Sequence, residues 1–154
     1  SSSDNIDLTG LQDLSNDEDS YLRAALRVTA AKSVLRIAKT RALSIDLYHR
    51  LAWVLLDSSD EARMSVLDAV IKRINRNEVS PLMYMAMMIV SANDPLPSIR
   101  QKSTSKLLYF VRTRHRESKA WLASRQADEE SEDVTTRAMS LTMAEYMLPY
   151  ALHL

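Results

Sequence analysis

The chain has 154 residues, with one glycine, no cysteine, and 20 basic residues balanced by 20 acidic ones. A single glycine excludes glycine-rich phosphate loops and dinucleotide fingerprints and argues against a hairpin-rich β fold. The lack of cysteine excludes disulfides and zinc ribbons. The composition therefore predicts one all-helical domain without catalytic activity, cofactor or metal site.

The zero net charge conceals three zones with net charges of −6 over residues 1–20, +11 over 21–127 and −5 over 128–154. We expect residues 1–19 to form an acidic leader that is disordered or loosely attached. Residues 20–154 should form the helical body, with an acidic loop at about 126–135. No apolar run reaches the length of about 20 residues that a membrane span needs, so we expect a soluble, intracellular chain.

The first two helices are predicted from apolar spacing and capping residues. The first should cover residues 21–39, with Ser20 as its cap and with apolar residues at helical spacing, Leu22, Leu26, Val34, Ile37 and Ala38. The second should begin at Ser44, another residue type that favours the N-cap position.

The next two helices have distinct start signals. A capping box from Ser58 to Glu61 predicts the start of the third helix. Ser80 followed by Pro81 predicts the start of the fourth, because proline is favoured at the first helical position.

The rest of the chain predicts further helices in sequence order. One follows Asp94 and runs to Val111, and a separate one covers residues 117–125. After the acidic loop we expect a short helix over 134–141 and a last helix that starts with a capping box at Thr142.

These helices show an internal repeat. Three Asp–Arg pairs share a spacing of six residues: Asp17 and Arg23, Asp57 and Arg63, and Asp94 and Arg100. An Asp in the turn would accept N–H bonds at a helix start, and the Arg would bond to the Asp of its own or the neighbouring turn.

This arrangement is typical of HEAT repeats. It predicts an all-α HEAT-repeat α-solenoid segment of about three helical pairs. Terminal repeats need polar caps, and this chain ends inside an apolar helix, so we expect a fragment of a longer array.

Several blocks of the sequence resemble a known family. Residues 81–100, which include PLMYMA and ANDP, and residues 145–154 are the most specific, and 22–38 and 54–72 agree in collinear order. They resemble the HEAT-repeat cohesin regulators named for precocious dissociation of sisters. Residues 126–141 depart from the family pattern, as does the arrangement of the basic run at 112–116.

The resemblance implies a nuclear, chromatin-associated scaffold without enzymatic activity or cofactor. Such a protein would bind the kleisin subunit of cohesin and act with the wings-apart-like release factor. It would help to regulate cohesin maintenance or release in sister-chromatid cohesion. Two alternatives stay open: a HEAT scaffold of another pathway, such as transport or phosphatase regulation, and a nucleic-acid binder that uses the basic 100–125 region.

One basic cluster is the candidate partner-binding site. Its members are Arg112, Arg114, His115, Arg116, Lys119 and the neighbouring Trp121. It could bind an acidic kleisin peptide, a polyphosphate or DNA. The plainer interpretations are a solvated face or a partner for the acidic run at 128–133. DNA binding is not favoured, because few aromatic residues lie among the basic residues and because acidic zones lie at both ends of the chain.

Two apolar features have competing interpretations. The methionine-rich fourth helix could use one side as a partner surface, because Met87 and Met88 should not both face the core. Packing between repeats is the favoured interpretation. Burial between helices is favoured for Trp53 as well, whereas Trp121 is evenly balanced between burial and an interface.

Overall fold

The computed structural model describes residues 9–125, with side chains described over 18–120. This part of the chain consists of five α-helices and contains no strand. The helices are α1 (Thr9–Ala38), α2 (Ile45–Val54), α3 (Asp60–Asn75), α4 (Pro81–Ser91) and α5 (Pro97–Arg125). The all-helical prediction is confirmed. The helices predicted beyond residue 125 and the acidic loop lie outside the described residues.

The five helices form two layers. Helix α3 lies between α1 and α5 in one layer, and α2 and α4 form the other. The α2 and α4 helices meet where the Tyr48 hydroxyl donates to the Met83 carbonyl at 2.7 Å and the Tyr48 ring packs edge-on against Tyr84. This arrangement, a helical pair stacked on a helical pair, is that of a HEAT-like repeat segment.

A single hydrophobic core lies between the layers. Its centre is provided by α3 and α4, where Val66, Leu67, Met85, Met87 and Met88 are fully buried. Burial of such side chains is the main source of stability in a stacked array.

The starts of α2 and α4 match the sequence prediction. Ser44 caps α2, and its hydroxyl accepts a hydrogen bond from the Leu47 N–H. Ser80 occupies the N-cap of α4 and Pro81 its first position, although the Ser80 side chain makes no capping hydrogen bond.

The start of α3 differs from the prediction by one residue. Ser59, not Ser58, is the N-cap, and its hydroxyl accepts from the Ala62 N–H. Glu61 therefore does not occupy the third helical position that a capping box requires. The turn that leads into α3 is fixed instead by Asp57, whose carboxylate accepts a hydrogen bond from the Ser59 N–H at 3.0 Å.

The longest helices, α1 and α5, are longer than predicted. Helix α1 begins at Thr9 and runs through Ser20, so the predicted start at Tyr21 and the Ser20 cap are wrong. Helix α5 continues unbroken to Arg125, so the two helices predicted there are one. Residues 9–20 and 112–117 contain no proline, and extending an existing helix avoids the cost of a new nucleus. The division into a leader and a repeat segment at residues 19 and 20 stays a prediction.

The apolar positions predicted on α1 divide into two groups: Val34 and Ala38 pack against the core, whereas Leu22, Leu26 and Ile37 are exposed. Leu22 and Leu26 are 58% and 69% exposed, whereas Ala24, Ala31 and Leu35 on the opposite side of α1 are buried. Helical periodicity alone is compatible with burial of either side of α1. The side that contains the two alanines is buried against α3, because small residues permit close approach of the helices.

Candidate partner-binding surface

The predicted basic cluster lies on the second half of α5. Arg112, His115, Arg116 and Lys119 are all exposed. Their spacing of three, four and seven residues places them on one side of the helix. We call this the α5 basic face, and it combines three permanent positive charges with an imidazole.

Arg114 does not belong to the α5 basic face. It lies on the other side of the helix, with its guanidinium carbon 5.4 Å from the centre of the Phe110 ring. It also donates to Glu117 at 3.2 Å. Trp121 lies in α5, but its side chain is outside those described.

A second charged surface, which the sequence analysis did not single out, lies between α1 and α3. It is a groove of about 410 Å³ whose walls carry Lys32 and Arg36 from α1, Lys72 from α3, and Arg76, the C-cap residue of α3. The two pairs have the same i, i+4 spacing and lie 40 residues apart. That repeated spacing is the signal that could have identified them.

The repeat residues hold the layer of α1, α3 and α5 together. Arg63 Nε donates to Asp94 Oδ2 at 2.7 Å and Arg63 Nη2 to Asp94 Oδ1 at 3.2 Å, a two-point bond to the next turn. Arg63 Nη1 also donates to the Asp57 carbonyl at 2.7 Å, in its own turn. Arg100 repeats the second contact on the Asp94 carbonyl at 2.8 Å.

The first member of this series is not Arg23. Asp57 accepts two bonds from Arg27, through Nε and, at 2.9 Å, through Nη2. Arg23 is exposed, and Asp17, whose side chain is not described, lies within α1, not in a turn. Arg27, Arg63 and Arg100 follow one another at 36 and 37 residues, so the register predicted for the first repeat is shifted by four residues.

The pKa values of the two turn carboxyls reflect these contacts. Hydrogen bonds from Arg27 and the Ser59 N–H hold the pKa of Asp57 below its ordinary value, against the effect of burial. Burial acts to raise the pKa of Asp94, but Arg63, the Leu96 N–H and the Arg100 charge together lower it. Both side chains are therefore carboxylates at neutral pH and accept from their arginines as charged groups.

The two apolar candidates differ from expectation. Met87 and Met88 are both fully buried, so the prediction that they could not both face the core is wrong. Helix α4 contacts α3 and α5 and also meets α2, and these three helices together cover it on several sides. Trp53 is 64% exposed, so its predicted burial is wrong as well.

The described residues offer little basis for other chemistry. No group of three or more His, Asp or Glu side chains among them is placed to hold a metal ion. Between residues 9 and 125, no helix combines the length and apolar character needed to cross a membrane.

Comparison with known proteins identifies the family. The chain matches the family described as sister chromatid cohesion protein PDS5 over residues 7–154. No curated protein and no solved structure gave a significant match. The family match covers nearly the whole chain and agrees with the two-layer helical repeat, and the chain therefore belongs to the sister chromatid cohesion protein PDS5 family.

Proposed function

We propose that the chain is part of a non-catalytic scaffold that binds the kleisin subunit of cohesin. In this role it acts with the wings-apart-like release factor to regulate how long cohesin stays on chromatin. Its place of action is the nucleus. Membership of a cohesion protein family supports a role in sister-chromatid cohesion, and the finer assignment to kleisin rests on the sequence resemblance.

The observation that carries the proposal is the α5 basic face. Its four side chains are exposed and lie on one side of a helix that is anchored by α3 and α4. Among the described residues, Glu117 is the one acidic residue of α5, and Arg114 engages it. The face is therefore a positive surface on a rigid support, suited to an acidic protein segment.

The rigidity of this support comes from the contacts between repeats. The Arg63–Asp94 pair is almost fully buried and fixes the start of α5 against α3. The backbone of α5 is thereby fixed at its start, and the buried Phe110 fixes it next to the α5 basic face.

The test is a titration of the full chain with purified kleisin subunit. The charge reversal R112E/R116E should weaken kleisin binding at least about tenfold, which corresponds to about 1.4 kcal/mol. Each substitution removes an attractive charge pair with the acidic segment and replaces it with a repulsive one, so each contributes a substantial part of this loss. The matched control R41E/R50E makes the same charge change at two exposed arginines outside α5. Kleisin binding that is equally affected by both variants, or by neither, would remove the α5 basic face from the proposal.

Duplex DNA provides the second arm of this test. Binding through several phosphates would fall steeply between 50 and 200 mM salt, by about a thousandfold or more for six contacts. If DNA bound with that dependence and kleisin did not bind, the nucleic-acid alternative through the basic 100–125 region would replace the proposal.

A further inference from the structure

The groove between α1 and α3 has positive walls along its length. Lys32 and Arg36 are one helical turn apart on α1, and Lys72 lies on the last turn of α3, four residues before its C-cap Arg76. All four residues are exposed. Between them the floor is formed by small or deeply buried side chains, including Ala69 and Leu35, so the groove stays open.

The two other charged residues of the groove already have partners. Asp68 is paired with Lys102 of α5, and Arg73 is paired with Glu78. Over residues 18–120, no carboxylate pairs with Lys32, Arg36, Lys72 or Arg76. Four cations thus line one groove without an ion-pair partner of their own, an arrangement that raises the local concentration of anionic ligands.

The two helices run in the same direction, which sets the spacing of the charges. Arg27 near the middle of α1 bonds to Asp57 before α3, and Lys39 after α1 bonds to Glu78 after α3. The bases therefore occur at successive levels along the groove, about 6 Å apart at 1.5 Å per residue. Side chains on one side of an extended peptide recur at about 6.6 Å, which matches this spacing.

We propose that this groove docks an extended acidic segment of a partner protein. Acidic side chains at every second position lie on one side of the segment, and that side faces the groove, where the basic residues of α1 and α3 can be reached. An extended peptide fits between two helices and can be contacted from both walls. A DNA duplex presents its phosphates on a broad convex surface, which basic side chains inside a groove would contact less well.

The probe is a fluorescein-labelled ten-residue peptide of alternating Glu and Ser, measured by anisotropy with the full chain at 50 mM salt. K32Q/R36Q should weaken binding at least about threefold, and K32Q/R36Q/K72Q/R76Q at least about tenfold, from the usual range for exposed charge pairs. The matched control R41Q/R50Q removes the same charge as the double variant but lies outside the groove, and it should change binding less than twofold. A peptide of alternating Lys and Ser should not bind.

Three outcomes would overturn the proposal. One is equal weakening by K32Q/R36Q and R41Q/R50Q, which would indicate a general charge effect. Another is undiminished peptide binding by the quadruple variant. Circular dichroism should show that this variant is folded, because all four substituted side chains are exposed. The third is tighter binding of duplex DNA with the same sensitivity to the four substitutions, which would make the groove a nucleic-acid site.

The groove and the α5 basic face use different residues, so the two proposals can fail independently. Loss of peptide binding in the groove variants with kleisin binding intact would support the groove alone. Loss of kleisin binding in R112E/R116E with binding of the acidic peptide intact would support the α5 basic face alone.

Discussion

Asp94 shows how much one residue does in this fold. Its carboxylate accepts from Arg63 and from the Leu96 N–H, and its carbonyl accepts from Arg100. Only 3% of the Asp94 side chain and 10% of the Arg63 side chain are exposed. Each residue is therefore a buried charge whose solvation is replaced by the other, which makes the pair sensitive to loss of either member.

Arg63→Ala should lower the free energy of unfolding by about 3–5 kcal/mol, because it leaves the Asp94 carboxylate buried without its main partner. Urea unfolding followed by circular dichroism measures this loss. Lys102→Ala is the control, since it breaks the exposed pair with Asp68 and should cost less than about 1 kcal/mol. Similar losses in the two variants would contradict the account given for Asp94.

The turn carboxyls also predict how stability depends on pH. The pKa values of Asp57 and Asp94 are lower in the folded chain than their ordinary value of 3.8. Below that value the unfolded state binds more protons than the folded state, so lowering the pH favours unfolding. This contribution to stability is fully present above about pH 5 and is lost as the pH falls through the lower folded-state values.

Urea midpoints measured between pH 2.5 and 6 should therefore decline below about pH 5. Asp57→Asn should show a shallower decline, since it removes one of the three described carboxyls whose pKa is lowered in the folded chain, Asp57, Glu78 and Asp94. The control is Asp46→Asn, at an exposed position in α2. A decline that is as steep in Asp57→Asn as in the unchanged chain would show that other carboxyls are responsible.

At the level of elements, α4 is the central helix of the described structure. Tyr84, Met85, Ala86, Met87 and Met88 are five successive buried residues, which cover all sides of a helix. Flexible, unbranched methionines can fill the irregular spaces that three neighbouring helices leave. Met85, Met87 and Met88 therefore belong to the core and are not available to a partner.

Met87→Ala should cost about 2–5 kcal/mol, because the cavity it leaves is enclosed by packed helices. Met87→Leu keeps nearly the same volume and should cost less than about 1.5 kcal/mol. Denaturant unfolding of both variants measures the difference. A partner surface at this position would instead give a small loss in Met87→Ala and a large loss of binding.

Helix starts could be predicted from the sequence where a local signal acts alone. Ser44 and the Ser80-Pro81 pair satisfy the first N–H groups or remove one, and α2 and α4 begin there. At α3, two adjacent serines compete, and the Asp57 bond to the Ser59 N–H selects the second. The continuation of α5 past 112–117 could not be predicted, since those polar residues carry neither a breaker nor an apolar pattern.

The candidate site was predictable in composition and only partly in geometry. The basic residues of α5 stand close together in the sequence, but helical geometry separates Arg114 from the α5 basic face. The groove between α1 and α3 joins residues 40 positions apart, so it requires the correct pairing of repeats. That pairing is set by Arg27, which the regular spacing of Asp17 and Arg23 obscured.

For the whole molecule, the Arg–Asp contacts link each repeat to the next. Arg27 joins α1 to the turn before α3, and Arg63 joins α3 to the turn before α5. In a stacked array the stability of each element depends mainly on its immediate neighbours. Breaking one of these contacts should loosen the element at that junction more than distant ones.

Arg27→Ala should therefore speed amide hydrogen exchange in α1, because it removes the two hydrogen bonds that hold α1 to the Asp57 carboxylate. Exchange in α4 and α5, which Arg27 does not contact, should change much less. Arg23→Ala is the matched control, one turn earlier on the same helix and exposed, and it should leave α1 protection nearly unchanged. Equal effects of the two substitutions would contradict the register that the structure gives the first repeat. A uniform increase over all five helices would instead show that the array unfolds as one cooperative unit, in which the Arg27–Asp57 bond stabilises every repeat equally.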